Sequence, residues 1–267
     1  MIMKRITIII AAFTLSFSTA FSQGCLPEGI TFSTQEQIDN FQTNYPGCNT
    51  IEGDVVISGN DINNLNGLSV LTSIEGWLFI EHNPSLTSLT GLQNLTSISG
   101  TLSSLSIADN NALINLTGLE GLNSIDGRLW ITQNNALANL TGLNNLNYLG
   151  SEIAIRDNDA LTSLTGLEGL STINGSLQLG DWSGGGNPSL ISLTGLDNVT
   201  SIGSELGIYN NNALTSLTGL ENVIFIGGSI EIKANNVLSS LMGLGNVTSS
   251  IPGKITIMEN DALDNLA

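Results

Sequence analysis

A Gly-Leu pair recurs at Gly67, Gly91, Gly118, Gly142, Gly166, Gly195, Gly219 and Gly243, at spacings of 24, 27, 24, 24, 29, 24 and 24 residues. A fixed period of this length confines the chain to repeat architectures, in which one unit cannot bury its own apolar face and must stack on its neighbours. Each copy follows roughly G-x-L-x-I-x-x-N-x-A-L-x-x-L-T-G-L-x-x-L-x-x-I. It opens with a period-two strand, as in Leu78-Phe79-Ile80, Leu129-Trp130-Ile131, Ile153-Ala154-Ile155 and Ile230-Glu231-Ile232. Alternation turns the aliphatics inward and the middle residue outward. The L-x-x-L-T-G-L and L-x-x-L-x-x-I segments, as in Leu161–Leu167 and Leu167–Ile173, are short and broken by Gly, Asn, Ser and Thr. They predict extended or 3₁₀-like sides of a coil rather than helices. The expectation is an all-β solenoid of about nine 24-residue coils over residues 51–267, starting at Val55 and about 40 Å long at ~4.8 Å per coil.

A second regularity runs beside the first. Asn60, Asn83, Asn110, Asn134, Asn158, Asn211, Asn235 and Asn260 follow the inward Ile by three residues, and Asn187 joins them once a five-residue insertion is removed. Buried amides need partners, so nine in register predict a structural ladder at one corner rather than a ligand site. The two insertions fall near Ser103-Ser104 and at Asp181–Gly185, and are expected to interrupt the strand-to-Asn connection.

The N-terminal segment has the parts of an export signal over residues 1–22. Lys4-Arg5 is the basic region, Ile6–Phe17 the apolar one, and Ser18–Ser22 offers small residues for cleavage. The apolar run is too short for a membrane span. Lipid attachment at Cys25 is the alternative processing route. Cys25 and Cys48 are the only cysteines, and in an exported chain they predict a disulfide rather than two thiols. The loop of about 24 residues is worth roughly 3 kcal/mol. Between them Ser33-Thr34-Gln35-Glu36 matches a capping box with Ser33 as N-cap and Glu36 at N3. A helix over 34–44, with Ile38 and Phe41 on one face and Pro46-Gly47 as its stop, is expected to cover the open end of the coils. Residues 23–50 thus form a disulfide-pinned cap. The chain stops in mid-repeat at Asp264–Ala267, which predicts a C-terminal continuation.

The order Cys25, helix with Ile38 and Phe41, Asn44-Tyr45-Pro46-Gly47-Cys48, then Ile51–Ile57 resembles the start of a receptor L domain. These are the leucine-rich β-helical modules of insulin- and epidermal-growth-factor-receptor ectodomains, and the coils resemble the same family and related fungal cell-wall and bacterial surface proteins. The resemblance covers residues 25–267. It implies a right-handed β-helix, a disulfide-pinned helical cap and an extracellular binding or scaffolding role. The chain departs from the receptors in its regularity and in lacking their Cys-rich modules, so their ligands do not carry over.

Chemistry is sparse. The formal net charge is -17, from 6 Lys+Arg and 23 Asp+Glu. That disfavours nucleic acid and anionic membranes, which demand a basic surface. His82 is the only histidine and is expected at a surface turn. No zinc spacing, phosphate loop or calcium nonapeptide occurs, and Asp181–Gly186 is glycine-rich without a following helix. The carboxylates fall at scattered repeat phases, predicting a solvated face rather than a glycosidase pair. No enzyme, metal or cofactor is expected. The outward aromatics Trp77, Phe79, Trp130 and Tyr209, and Trp182 in the longer insertion, are the candidate ligand contacts. The expected function is binding or adhesion at the cell surface, to a glycan or a surface protein. A structural spacer, a glycan-active enzyme and an ice-binding solenoid are the alternatives. The last would use Thr90, Thr117, Thr141, Thr165, Thr194 and Thr218, although backbone bonding at the turn also explains them.

Overall fold

The computed structural model describes residues 24–101 and 103–264; the export signal read over residues 1–22 lies outside them. The chain is a parallel β-solenoid. Its longest side is a ten-stranded sheet that runs from Ile30–Phe32 through Val55–Ile57, Leu78–Glu81, Leu105–Ala108, Leu129–Thr132, Ile153–Arg156, Leu177–Leu179, Leu206–Tyr209 and Ile230–Lys233 to Ile255–Met258. A second side carries two-residue strands, six in one run from Gly24–Cys25 to Tyr148–Leu149, then Thr172–Ile173, Ser201–Ile202 and Phe225–Ile226. The rest of the coil is made of i→i+3 turns, such as Leu92 N–H to the Leu89 carbonyl at 3.1 Å and Leu95 N–H to that of Leu92 at 2.9 Å.

One coil shows why stacking is required. Leu129, Ile131, Leu137, Leu140, Leu143, Leu146 and Leu149 all point inward and are at most 1% exposed. Seven aliphatics from one turn of chain meet their counterparts above and below, so the core is a continuous aliphatic column. The Gly of each Gly-Leu pair is fixed by that closeness. Gly118 has φ +113, and a Cβ there would overlap the Leu89 carbonyl of the preceding coil. Only glycine accepts both conditions.

The cap is itself a coil. The sequence places the first strand at Val55, but Ile30–Phe32 lies beside Val55–Ile57 in the register Ile30↔Val55 and buries Phe32. Gly24–Cys25 likewise pairs with Thr50–Ile51, across the expected boundary at residue 50. The expected single helix is two short ones, Gln35–Asp39 and Phe41–Asn44, joined at Asn40. The N-cap is Thr34, not Ser33, and its partner at N3 is Gln37, not Glu36. The shift by one residue brings Ile38 and Phe41 together into full burial over the turn Asn66–Leu68. Cys25 and Cys48 are disulfide-bonded, with their Cα atoms 5.8 Å apart. That bond occupies the sulfur that lipid attachment at Cys25 would need.

The asparagine ladder runs through eight residues. Asn83, Asn110, Asn134, Asn158, Asn187, Asn211 and Asn235 are fully buried, and Asn260 is 9% exposed. One pattern recurs along the ladder. Asn134 Nδ2 donates to the carbonyls of Thr132 in its own corner (3.0 Å) and Ile107 in the coil before (2.9 Å), and its Oδ1 accepts the Asn110 N–H (3.0 Å). Asn60, counted as a ninth rung from spacing, is exposed and outside the ladder. Its corner is one residue shorter. In most of the other coils the residue before the ladder Asn is left-handed, as at His82 (φ 57), Gln133 (φ 58) and Asp157 (φ 56). The first corner has no such residue, and the Gly59 N–H takes the place, bonding Asn83 Oδ1 at 2.9 Å.

Candidate ligand-binding face

The outward side of the ten-stranded sheet collects the unusual residues. Strand alternation exposes the residue before each inward pair, the one between, and the one after. Those phases hold Arg128, Arg156, Lys233 and Lys254, which are all the Lys and Arg among the described residues. They also hold Trp77 and Trp130, and Trp182 belongs to a loop that Asp181 ties to Arg156 of this face. The sequence reading singled out the tryptophans but not the cations. Aligning the copies residue by residue brings the four cations onto two columns, which spacing of the apolar residues alone does not show.

The aromatics form one roof. Trp77 stacks on Phe79 (5.0 Å, 6°) and meets Trp130 edge to face at 5.6 Å. Trp77 and Trp130 stand two strands apart, about 9.6 Å at the backbone. Their rings lean together over the intervening strand, where Ser104 and Ser106 are small enough to be covered; the two serines are 1% and 8% exposed. The insertion near Ser103-Ser104 lies before this strand, not in the strand-to-Asn connection. The register Leu105↔Leu78 and Leu105↔Leu129 puts Ser104 level with Trp77 and Arg128. It thereby supplies the floor of the roof.

Trp130 is held on its far side as well. Its Nε1 donates to Glu152 Oε1 at 2.9 Å, the Arg128 guanidinium lies 5.2 Å from its ring centre, and Arg128 Nε is 3.5 Å from the same Glu152 oxygen. Beyond it, Trp130, Thr132, Glu152, Ala154, Arg156 and Gln178 enclose a basin of about 190 Å³.

The longer insertion, at Asp181–Gly185, does leave from the strand-to-Asn connection and is built around one carboxylate. Asp181 Oδ1 accepts from Ser183 N (2.8 Å), Ser183 Oγ (2.7 Å) and Gly185 N (3.1 Å), while Oδ2 pairs with Arg156 at 2.9 Å. Burial alone would raise this carboxyl, but those hydrogen bonds, with the Arg156 charge, outweigh it and hold it below the usual range. Burial, followed by the Asp181 charge, pushes neighbouring Asp157 up. The loop carries Trp182, which is 76% exposed.

Tyr209, which strand alternation predicts as an exposed contact, is instead only 5% exposed. Its ring lies over Gly207, where a Cβ would collide with it, and its hydroxyl sits 3.0 Å from both Glu205 and Glu231. Burial first, then those two carboxylates, raises its pKa. The absence of a side chain at Gly207 lets the ring fold flat, a signal legible only when the strand register is known.

The acidic residues are more ordered than their sequence phases suggested. Glu120, Glu168, Asp197 and Glu221 share one phase, and each accepts the N–H of the repeat glycine two residues earlier, as in Glu221 Oε2 to Gly219 N at 2.7 Å. These carboxylates secure turns. The candidate ice-binding threonines also serve the coil. The carbonyls of Thr117, Thr141, Thr165, Thr194 and Thr218 each accept a Leu N–H from the preceding coil, and the hydroxyls of Thr90, Thr165 and Thr194 accept from a Ser two residues earlier. His82 is an exposed turn residue, with Nε2 3.4 Å from Asp109. Among the described residues no cluster of three or more His, Cys, Asp or Glu is placed to hold a metal, and no helix is long and apolar enough to cross a membrane.

Residues 47–141 match the family model of the Receptor L domain, a non-catalytic family of ligand-binding modules. No curated protein and no solved structure matches the chain. The matched stretch and the disulfide point to an extracellular setting. The ten-stranded sheet and the asparagine ladder continue beyond residue 141, and the chain is a leucine-rich β-solenoid that is similar to the Receptor L domain over residues 47–141.

Proposed function

We propose that this is an exported binding or adhesion module that takes a glycan or a surface protein on the outward side of its ten-stranded sheet. The observation that carries the reading is the segregation of residue types. Every described Lys and Arg, and all three tryptophans, stand on or beside this one face of a molecule with a net charge of -17. Core packing does not require this, because outward positions are free to vary. Aromatics and arginines are also the residues that contribute most to recognition. The export signal read over residues 1–22 and the disulfide support a position outside the cell.

The test is a glycan and surface-protein binding screen with native protein and the variants Trp77→Ala, Trp130→Ala and Trp182→Ala. Native protein is expected to bind and the Trp130 variant to bind at least about tenfold more weakly, the scale of a lost aromatic contact. If native protein binds and all three variants bind equally well, the face is wrong. A spacer would bind nothing.

A further inference from the structure

We infer that the basin beside Trp130 is a subsite for one neutral pyranose ring of a glycan. The inference rests on the proposed function and specifies its ligand.

The shape comes from the repeat. Trp130, Ala154 and Gln178 occupy the middle outward position of three consecutive strands. The single methyl of Ala154 leaves a slot between two larger side chains whose strands are about 9.6 Å apart. The depression has a volume of about 190 Å³ and is open to solvent on one side. That suits a single sugar ring and is below the usual size of a drug-like pocket.

The lining suits the same ligand. One wall is the Trp130 side chain, an apolar surface against which the C–H groups of a pyranose can pack. Glu152 and Arg156 stand at the two ends of the central strand, with Thr132 and Gln178 beside them. Carboxylate, guanidinium and amide each present paired acceptors or donors, which match adjacent hydroxyls. A purely apolar ligand would cover these groups without using the hydrogen-bonding capacity that their existing partners leave. An anionic sugar would gain Arg156 but face Glu152, Asp157 and Asp181 in a strongly acidic molecule. A peptide cannot add as a strand here, because the strands under the basin are interior and hydrogen-bonded on both sides. The polar groups are also held in place. Glu152 is fixed by Trp130 and Arg128, and Arg156 by Asp181, whose own carboxylate is anchored by Ser183 and Gly185. Little side-chain freedom is lost on binding.

The experiment is titration calorimetry of the full chain with neutral oligosaccharides of glucose, mannose and galactose, and with oligogalacturonate as the anionic counterpart. The variants are Trp130→Ala, Trp130→Phe and Ala154→Gln, with thermal unfolding as the check on folding. At least one neutral series is expected to bind. Trp130→Ala and Ala154→Gln should each weaken it by about tenfold or more, and Trp130→Phe by less. Ala154→Gln enlarges one outward methyl, so it decides the matter if Trp130→Ala fails to fold. Sugar binding untouched by Ala154→Gln, or tighter binding of oligogalacturonate, would overturn the inference. If no sugar binds but a surface protein is captured through Trp130, the sugar subsite is wrong while the face remains. If Trp130 matters to neither, the subsite is wrong, and if Trp77→Ala and Trp182→Ala also bind as native protein does, the face is wrong too.

Discussion

At the scale of single residues, the ladder asparagines and Asn60 make a controlled pair. The same residue type stands three positions after an inward Ile in both cases, yet Asn134 is fully buried and Asn60 is exposed. Asn134→Ala strips the Asn110 N–H of its acceptor and removes a donor from the Ile107 carbonyl. Leaving buried polar groups unpaired costs about 1–3 kcal/mol each, so the variant should lose about 2–6 kcal/mol in denaturant unfolding. Asn60→Ala should change stability by less than about 0.5 kcal/mol, as surface substitutions usually do. Equal losses would show that the amides act through local turn formation and not through the ladder. The sequence pointed to all nine positions because spacing counts residues along the chain. The missing left-handed residue in the first corner is a backbone property that no residue type announces; Ala234 and Glu259 adopt it as readily as His82.

At the scale of elements, the Asp181 loop is the part least determined by the repeat. The Arg156 ion pair and the Asn210 Nδ2 donation to the Asp181 carbonyl tie it to the solenoid, and Asp181 and neighbouring Asp157 are shifted in opposite directions. Asp181 is held below the usual carboxyl range, so the stability it contributes is present above its unfolded pKa and is lost as pH falls through its lowered value. Asp157 is pushed up, so its ionisation opposes folding as pH rises through its raised value. At neutral pH Asp181→Asn should lower the melting temperature and Asp157→Asn should raise it. Below the lowered value of Asp181 both carboxyls are protonated in native protein, and both differences should shrink. Thermal unfolding across that range checks this, and parallel pH profiles for the two variants would contradict it. Other elements were more legible. The aliphatic strands, their inward faces and the helical cap follow from periodicity, since every coil applies the same burial. What the sequence did not show is how neighbouring coils combine outside the core. The roof of Trp77, Phe79 and Trp130 depends on serines of the intervening strand, and the burial of Tyr209 depends on Gly207. Both are relations between residues one coil apart, invisible in any single copy.

At the scale of the whole molecule, charge is the dominant asymmetry, and salt is the variable that reports it. Glu168, Asp197 and Glu221 stand on successive coils at one phase. With coils ~4.8 Å apart, two such charges repel by about 0.9 kcal/mol in water. The attractive side is thin. The pairs Arg128–Glu152, Arg156–Asp181 and Lys233–Glu259 are partly exposed, and such pairs contribute about 0–1 kcal/mol each. Repulsion in a molecule of net charge -17 therefore outweighs attraction, and screening should stabilise the fold. The melting temperature is expected to rise from low to high sodium chloride. Glu221→Gln should raise it at low salt, with a gain that narrows as salt is added. The Gly219 N–H keeps an acceptor in that variant, so the change isolates charge from the turn. A melting temperature that falls with salt would mean the few ion pairs on the outward face of the ten-stranded sheet govern stability. The same titration bears on recognition. A neutral sugar in the Trp130 basin should bind with little dependence on salt, whereas an acidic partner drawn by the four cations would be released as salt is raised.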